Sequence, residues 1–125
     1  MHPPIAVTPD LFTPLDLQPV IAELLTEARR DPAHKASRTL VKSPELSIVV
    51  IALCAGGSMM EHAAPGPVTI VPLHGRVSFR SPDADAPEAQ LQGTTVLAMG
   101  AGKRHAVTAE GDAAFMVVLG RNPAA

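Results

Sequence analysis

The chain has 125 residues, of which 46% are apolar and 18% charged, and its formal net charge is −2. That size and balance fit one folded domain around a single core and exclude general disorder. Lys and Arg are scattered, Trp and Tyr are absent and Phe occurs three times, which excludes a basic phosphate-binding face and an aromatic platform for bases.

Residues 1–13 are proline-rich and without apolar period, and read as a flexible arm, loose or draped over a partner. Met1-His2-Pro3-Pro4-Ile5 has neither a basic start nor a signal-length apolar stretch. The longest apolar run, Ile48 to Ala55, is well short of the ~20 residues a membrane helix needs. A cytoplasmic protein without a membrane partner is expected, and with Cys54 alone there is no intrachain disulfide.

Residues 14–125 are expected to form one domain. Leu17, Val20, Ile21, Leu24, Leu25 and Ala28 recur at three- and four-residue steps, which predicts a helix over about 16–30. Asp16 suits its N-cap, Pro19 its first turn, Arg29 and Arg30 its last turn, and Pro32 stops it.

Beyond the helix the signal is β. Segments rich in Val, Ile, Thr and Leu alternate with Gly, Pro and Asp clusters. They predict strands near Arg38–Lys42, Leu46–Cys54, Ser58–His62, Val68–Leu73 and Arg76–Arg80. Further strands fall near Gln90–Leu91, Thr95–Met99, His105–Ala109 and Ala113–Leu119, and residues 81–88 (SPDADAPE) read as a loop. Short strands at this spacing, with one leading helix, suggest an all-β closed barrel or jelly roll.

The stretch Gly56 to Gly75, GGSMMEHAAPGPVTIVPLHG, resembles the first motif of the cupin superfamily. That motif runs Gly, five residues, His, one residue, His, three or four residues, Glu, six residues, Gly. Here His62 holds the first His position, Ala64 the second, Val68 the Glu position and Gly75 the last. The stretch Gly93 to Ala109 is similar to the second motif. There Gly102 and His105 match, Gly100 stands for Pro, Ala109 for Asn, and Gly93 sits one residue early.

The resemblance implies a small single-domain cupin-type β-barrel, paired as a homodimer. A metal-binding cupin offers two His and a Glu from the first motif and one His from the second. Only His62 and His105 remain of that set. Catalytic zinc generally has three protein ligands and the iron facial triad two His and a carboxylate.

Two readings follow. In one, the barrel holds a small, partly apolar molecule in a pocket lined by Met60, His62, Ala64, Val68, Ile70, Val77, Phe79 and His105, with the His pair as polar anchors. Such a pair also suits acid–base chemistry near neutral pH. In the other, a metal-dependent enzyme of oxygenase or isomerase type binds a divalent transition metal, or Cu(I) with methionine help, on His62 and His105 and a non-standard third ligand. Strand alternation turns Glu61 outward and gives Met60 the inward parity, and Met99 and Met116 are further candidates. The residual case is that both histidines are structural. Arg76, Arg80, Lys103 and Arg104 are read as a solvated rim rather than an anion site, and Cys54 as packed.

Overall fold

A computed structural model describes residues 3–82 and 88–121, so most of the 81–88 loop (residues 83–87) lies outside the described residues. Helix α1 (Leu17–Arg30) comes first. It is followed by β1 (Lys35–Lys42), β2 (Leu46–Leu53), β3 (Ser58–Ala63), β4 (Val68–His74), β5 (Val77–Arg80), β6 (Glu88–Leu91), β7 (Leu97–Met99), β8 (Arg104–Thr108) and β9 (Ala113–Gly120). Two antiparallel sheets result, ordered β1-β2-β9-β4-β7 and β3-β8-β5-β6. Their inner faces pack together, Leu53, Ile70 and Phe115 of one against Val77, Phe79, Leu91 and Val107 of the other. This is the expected all-β jelly roll.

The continuous apolar run of β2 has a structural cause. One face of the strand meets the opposite sheet and the other meets the helix, so every position is buried or partly buried. Val50 and Ala52 turn outward with Ala114, under Leu24, Leu25 and Ala28 of α1, whereas Leu53 turns inward. Cys54 is buried in the helix layer, 3.8 Å from the Leu25 carbonyl, and burial pushes its thiol pKa up. The thiol is therefore protonated at neutral pH, as suits a packed cysteine.

The helix begins as its sequence dictates, with an Asp16 side-chain oxygen accepting from the Gln18 N–H at 3.3 Å. It is tied down by Arg29 to Asp112 (2.6 Å) and by Arg38 of β1 to Glu23 (2.8 Å). No described helix is long and apolar enough to cross a membrane.

The arm, expected to be flexible or to cover a partner, is bonded to its own edge strand. Ile5 donates to the Leu40 carbonyl (2.8 Å), its own carbonyl accepts from Lys42 (2.9 Å), and Val7 donates to the Ser43 hydroxyl (2.6 Å). The prolines hide this short parallel bridge between Ile5 and Val41 because they break any strand period around it.

Leu24 is 0% exposed, so Leu24→Ala is expected to cost about 2–5 kcal/mol in urea unfolding. Met60, on the outside of β3 and 88% exposed, is expected to tolerate Ala within about 0.5 kcal/mol. Equal losses at the two positions would contradict this layering.

Candidate functional site

The two motif histidines come from neighbouring strands. His62 of β3 and His105 of β8 are direct cross-strand partners, and the rings lie 4.2 Å apart between centroids with 57° between planes. A hydrogen bond from the Gly102 N–H to the Ala64 carbonyl (2.9 Å) joins the turn before β8 to the segment after β3 and holds the pairing in place. Gly102 makes this contact at φ +78°, a conformation side chains beyond glycine rarely adopt.

Each imidazole has one nitrogen committed to the backbone. Nδ1 of His62 lies 3.0 Å from the Met60 carbonyl, and Nδ1 of His105 lies 3.0 Å from the Lys103 carbonyl. A carbonyl only accepts, so each Nδ1 carries the proton and each Nε2 is left with a lone pair in the neutral ring. His62 is exposed and His105 is 5% exposed, stacked against Phe79 at 6.1 Å. The pair thus runs from the mouth of the barrel inward.

Both rings line a cavity of about 260 Å3. Its other walls are apolar. Of the pocket residues expected from sequence, His62, Ala64, Val68, Ile70, Phe79 and His105 are in the lining. Phe79 meets Phe115 edge-on at 5.4 Å.

Met60 and Val77 are not in the lining, and each has a reason. Between the pairs Met59↔Val107 and His62↔His105 there are three steps along β3 but two along β8. This extra residue is a β-bulge, which breaks alternation. Met59 therefore shares the inner face with His62, and Met60 turns outward. Val77 is buried, but one same-face step along β5 from Phe79, within the core rather than at the cavity.

The sequence reading also missed Val49 and Ile51 of β2 and Phe115, Val117 and Leu119 of β9. Both strands are apolar runs with no apolar–polar alternation, so strand parity was the available signal. It fixes which residues share a face, but not that this face meets the motif strands.

The donor set does not fit the metal chemistry implied by the resemblance. The positions of the missing ligands do face the cavity, yet they present the Ala64 methyl and the Val68 isopropyl group. Among the described residues no three His, Cys, Asp or Glu side chains group as a metal site. Glu61 points away to Arg104 at 3.3 Å. Met99 and Met116 are absent from the lining, which leaves Met59 as its methionine. Two imidazoles without a carboxylate fall short of a zinc or facial-triad site.

The remaining polar candidates sit elsewhere. Of the rim cations, Arg76 pairs with Glu110 (3.4 Å) and Arg104 with Glu61. His34 and His74 are exposed, and His2 lies outside the described residues.

Comparison with solved structures identifies this architecture. A cupin superfamily protein of Desulfitobacterium hafniense DCB-2 aligns with TM-score 0.64 and 22% identity, over 70% of this chain and 78% of that one. An RmlC-like cupin family protein of Methanocaldococcus jannaschii, with a double-stranded β-helix fold, aligns with TM-score 0.63 and 18% identity over 76% and 87%. The chain has a cupin fold. A DMSP lyase of Ruegeria pomeroyi DSS-3 aligns with TM-score 0.62 and 18% identity, over 70% of this chain and 47% of that one. No family model matches the chain, and no curated protein does.

Burial within the cupin barrel lowers the His105 pKa. Desolvation is the main cause, the neighbouring His62 adds to it, and the bond to the Lys103 carbonyl opposes it. The folded state then binds this proton less readily than the unfolded chain, whose histidines titrate near ~6.5. The His105 contribution to stability is full above that value and declines as pH falls from ~6.5 toward the lower folded pKa. The Asp112 carboxyl, held low mainly by its hydrogen bond to Arg29, acts only in the more acidic carboxylate range. Urea midpoints are expected to fall from about pH 6.5 to pH 5, and His105→Gln to flatten that fall; an unchanged slope in the variant would contradict it.

Proposed function

We propose that this chain is a binding module that holds a small, partly apolar molecule in its barrel. The carrying observation is the arrangement of the two imidazoles. Both Nδ1 protons are bound to backbone carbonyls, which leaves two Nε2 acceptors in an otherwise apolar cavity. A ligand that matches this site has an apolar body and a hydroxyl or similar donor at one end. The cavity, at about 260 Å3, is slightly below the ~300–1,000 Å3 of drug-sized sites, so its occupant is small.

The fold itself carries no activity. The DMSP lyase is an enzyme on the same architecture, but at 18% identity the likeness is one of fold, and unrelated functions share folds. The enzyme reading needs a third metal ligand, and the apolar groups of Ala64 and Val68 weigh against it.

Calorimetric titration with primary alkanols of increasing length tests the proposal. Affinity is expected to rise about fourfold per methylene, from the ~0.8 kcal/mol of burying each one, until the chamber is full. His62→Ala and His105→Gln are each expected to weaken binding by about two- to tenfold, the worth of one hydrogen bond. Binding that ignores both substitutions would overturn the proposal. Near-stoichiometric metal in the purified protein, lost in both variants, would favour the enzyme instead.

A further inference from the structure

The barrel has a second opening beside the chamber. Strand β1 ends the five-stranded sheet and β3 ends the four-stranded one, and no described strand bridges them. Lys35 is paired with Leu53 and Ser37 with Ile51. Cross-strand partners share a face, and Leu53 belongs to the inner core. Lys35 and Ser37 therefore stand on the inner face of β1, at the open side of the barrel.

A groove of about 280 Å3 lies there, lined by Asp31, Lys35 and Ser37 together with Val49, Ile51 and Met59. The last three also line the chamber. One layer of side chains thus separates chamber from groove, and all three are only partly buried. Met59 is the unbranched member, with rotatable bonds that let it swing aside. Each compartment alone is below the ~300 Å3 lower bound of drug-sized ligand sites, whereas both together fall within that range.

We propose that the groove is a second subsite for the molecule held in the chamber, and that it takes a carboxylate at Lys35. This rests on the chamber reading above and names its ligand class: an elongated molecule with a hydroxyl at the His pair, an apolar middle past Met59 and a carboxylate at the far end. Lys35 has no ion pair among the described residues, and the Ser37 hydroxyl lines the same groove as a second donor. Asp31, the acidic residue of the lining, keeps its charge while accepting from the Ala33 N–H at 2.9 Å, so the ligand's carboxylate is placed at the Lys35 end of the groove. The competing account is that Lys35 only protects an edge strand from pairing, a common use of lysine.

The probes are ω-hydroxyalkanoates, primary alkanols and ω-amino alcohols of matched chain length, titrated into the full chain by calorimetry. Hydroxy acids are expected to keep gaining affinity at lengths where alkanols have reached their plateau. Lys35→Ala is expected to weaken the long hydroxy acids by about two- to fivefold, as for a solvent-exposed ion pair, and to leave the alkanols unchanged. Lys35→Glu is expected to shift preference to the amino alcohols. Two results would overturn the subsite while leaving the chamber reading intact: hydroxy-acid affinity indifferent to Lys35, or amino alcohols bound as tightly as hydroxy acids by the unsubstituted chain. Alkanol binding indifferent to His62 and His105 would overturn both.

Discussion

The extra residue that β3 carries against β8 decides which side chains reach the barrel interior. Without it, strict alternation would put Met60 beside His62 and turn Met59 to solvent. With it, Met59 enters the chamber wall, Met60 stands outside, and His62 still meets His105 across the strand pair. The pairing in turn sets the chemistry. Two imidazoles in register, each held through Nδ1 by a backbone carbonyl two residues earlier in its own chain segment, keep a fixed tautomer without help from any other side chain.

The helix makes the chamber affordable in structural terms. By covering the outer face of β2 and β9, it supplies a second apolar layer that the sheet packs against. The inner face of the barrel can then leave space unfilled at its mouth while Phe115, Phe79 and their neighbours close the deeper part. The same sheet ends at β1, where the inner face changes from apolar to polar at Lys35 and Ser37. Chamber and groove are thus consecutive parts of one face, apolar where the other sheet covers it and polar where that cover stops.

Much of this was legible in the sequence, for identifiable reasons. The helix announces itself by its three- and four-residue period and the Asp16 cap. The strands announce themselves by their turn residues, and the spacing from Gly56 to His62 and from Gly102 to His105 brings the two rings together. Local patterns carry that information. The bulge does not, because it is a difference in count between two strands and appears only when they pair. The same holds for Val77, whose inward parity says nothing about depth, and for Ile5, whose bridge to Val41 is a single contact among prolines. Val49 and Ile51 lay in an apolar run with no visible alternation, since β2 packs against the opposite sheet on one face and the helix on the other.

Whether both Nε2 atoms are lone-pair acceptors at the apolar chamber is read most directly from the long-range proton–nitrogen spectrum of the imidazoles in labelled protein. At about pH 7.5 the bonds to the Met60 and Lys103 carbonyls lead to the Nδ1–H tautomer as the expected neutral form of both His62 and His105. Burial is expected to keep His105 neutral to a lower pH than a free histidine. An Nε2–H tautomer at either ring, or a His105 that titrates like a free side chain, would contradict this reading of the pair.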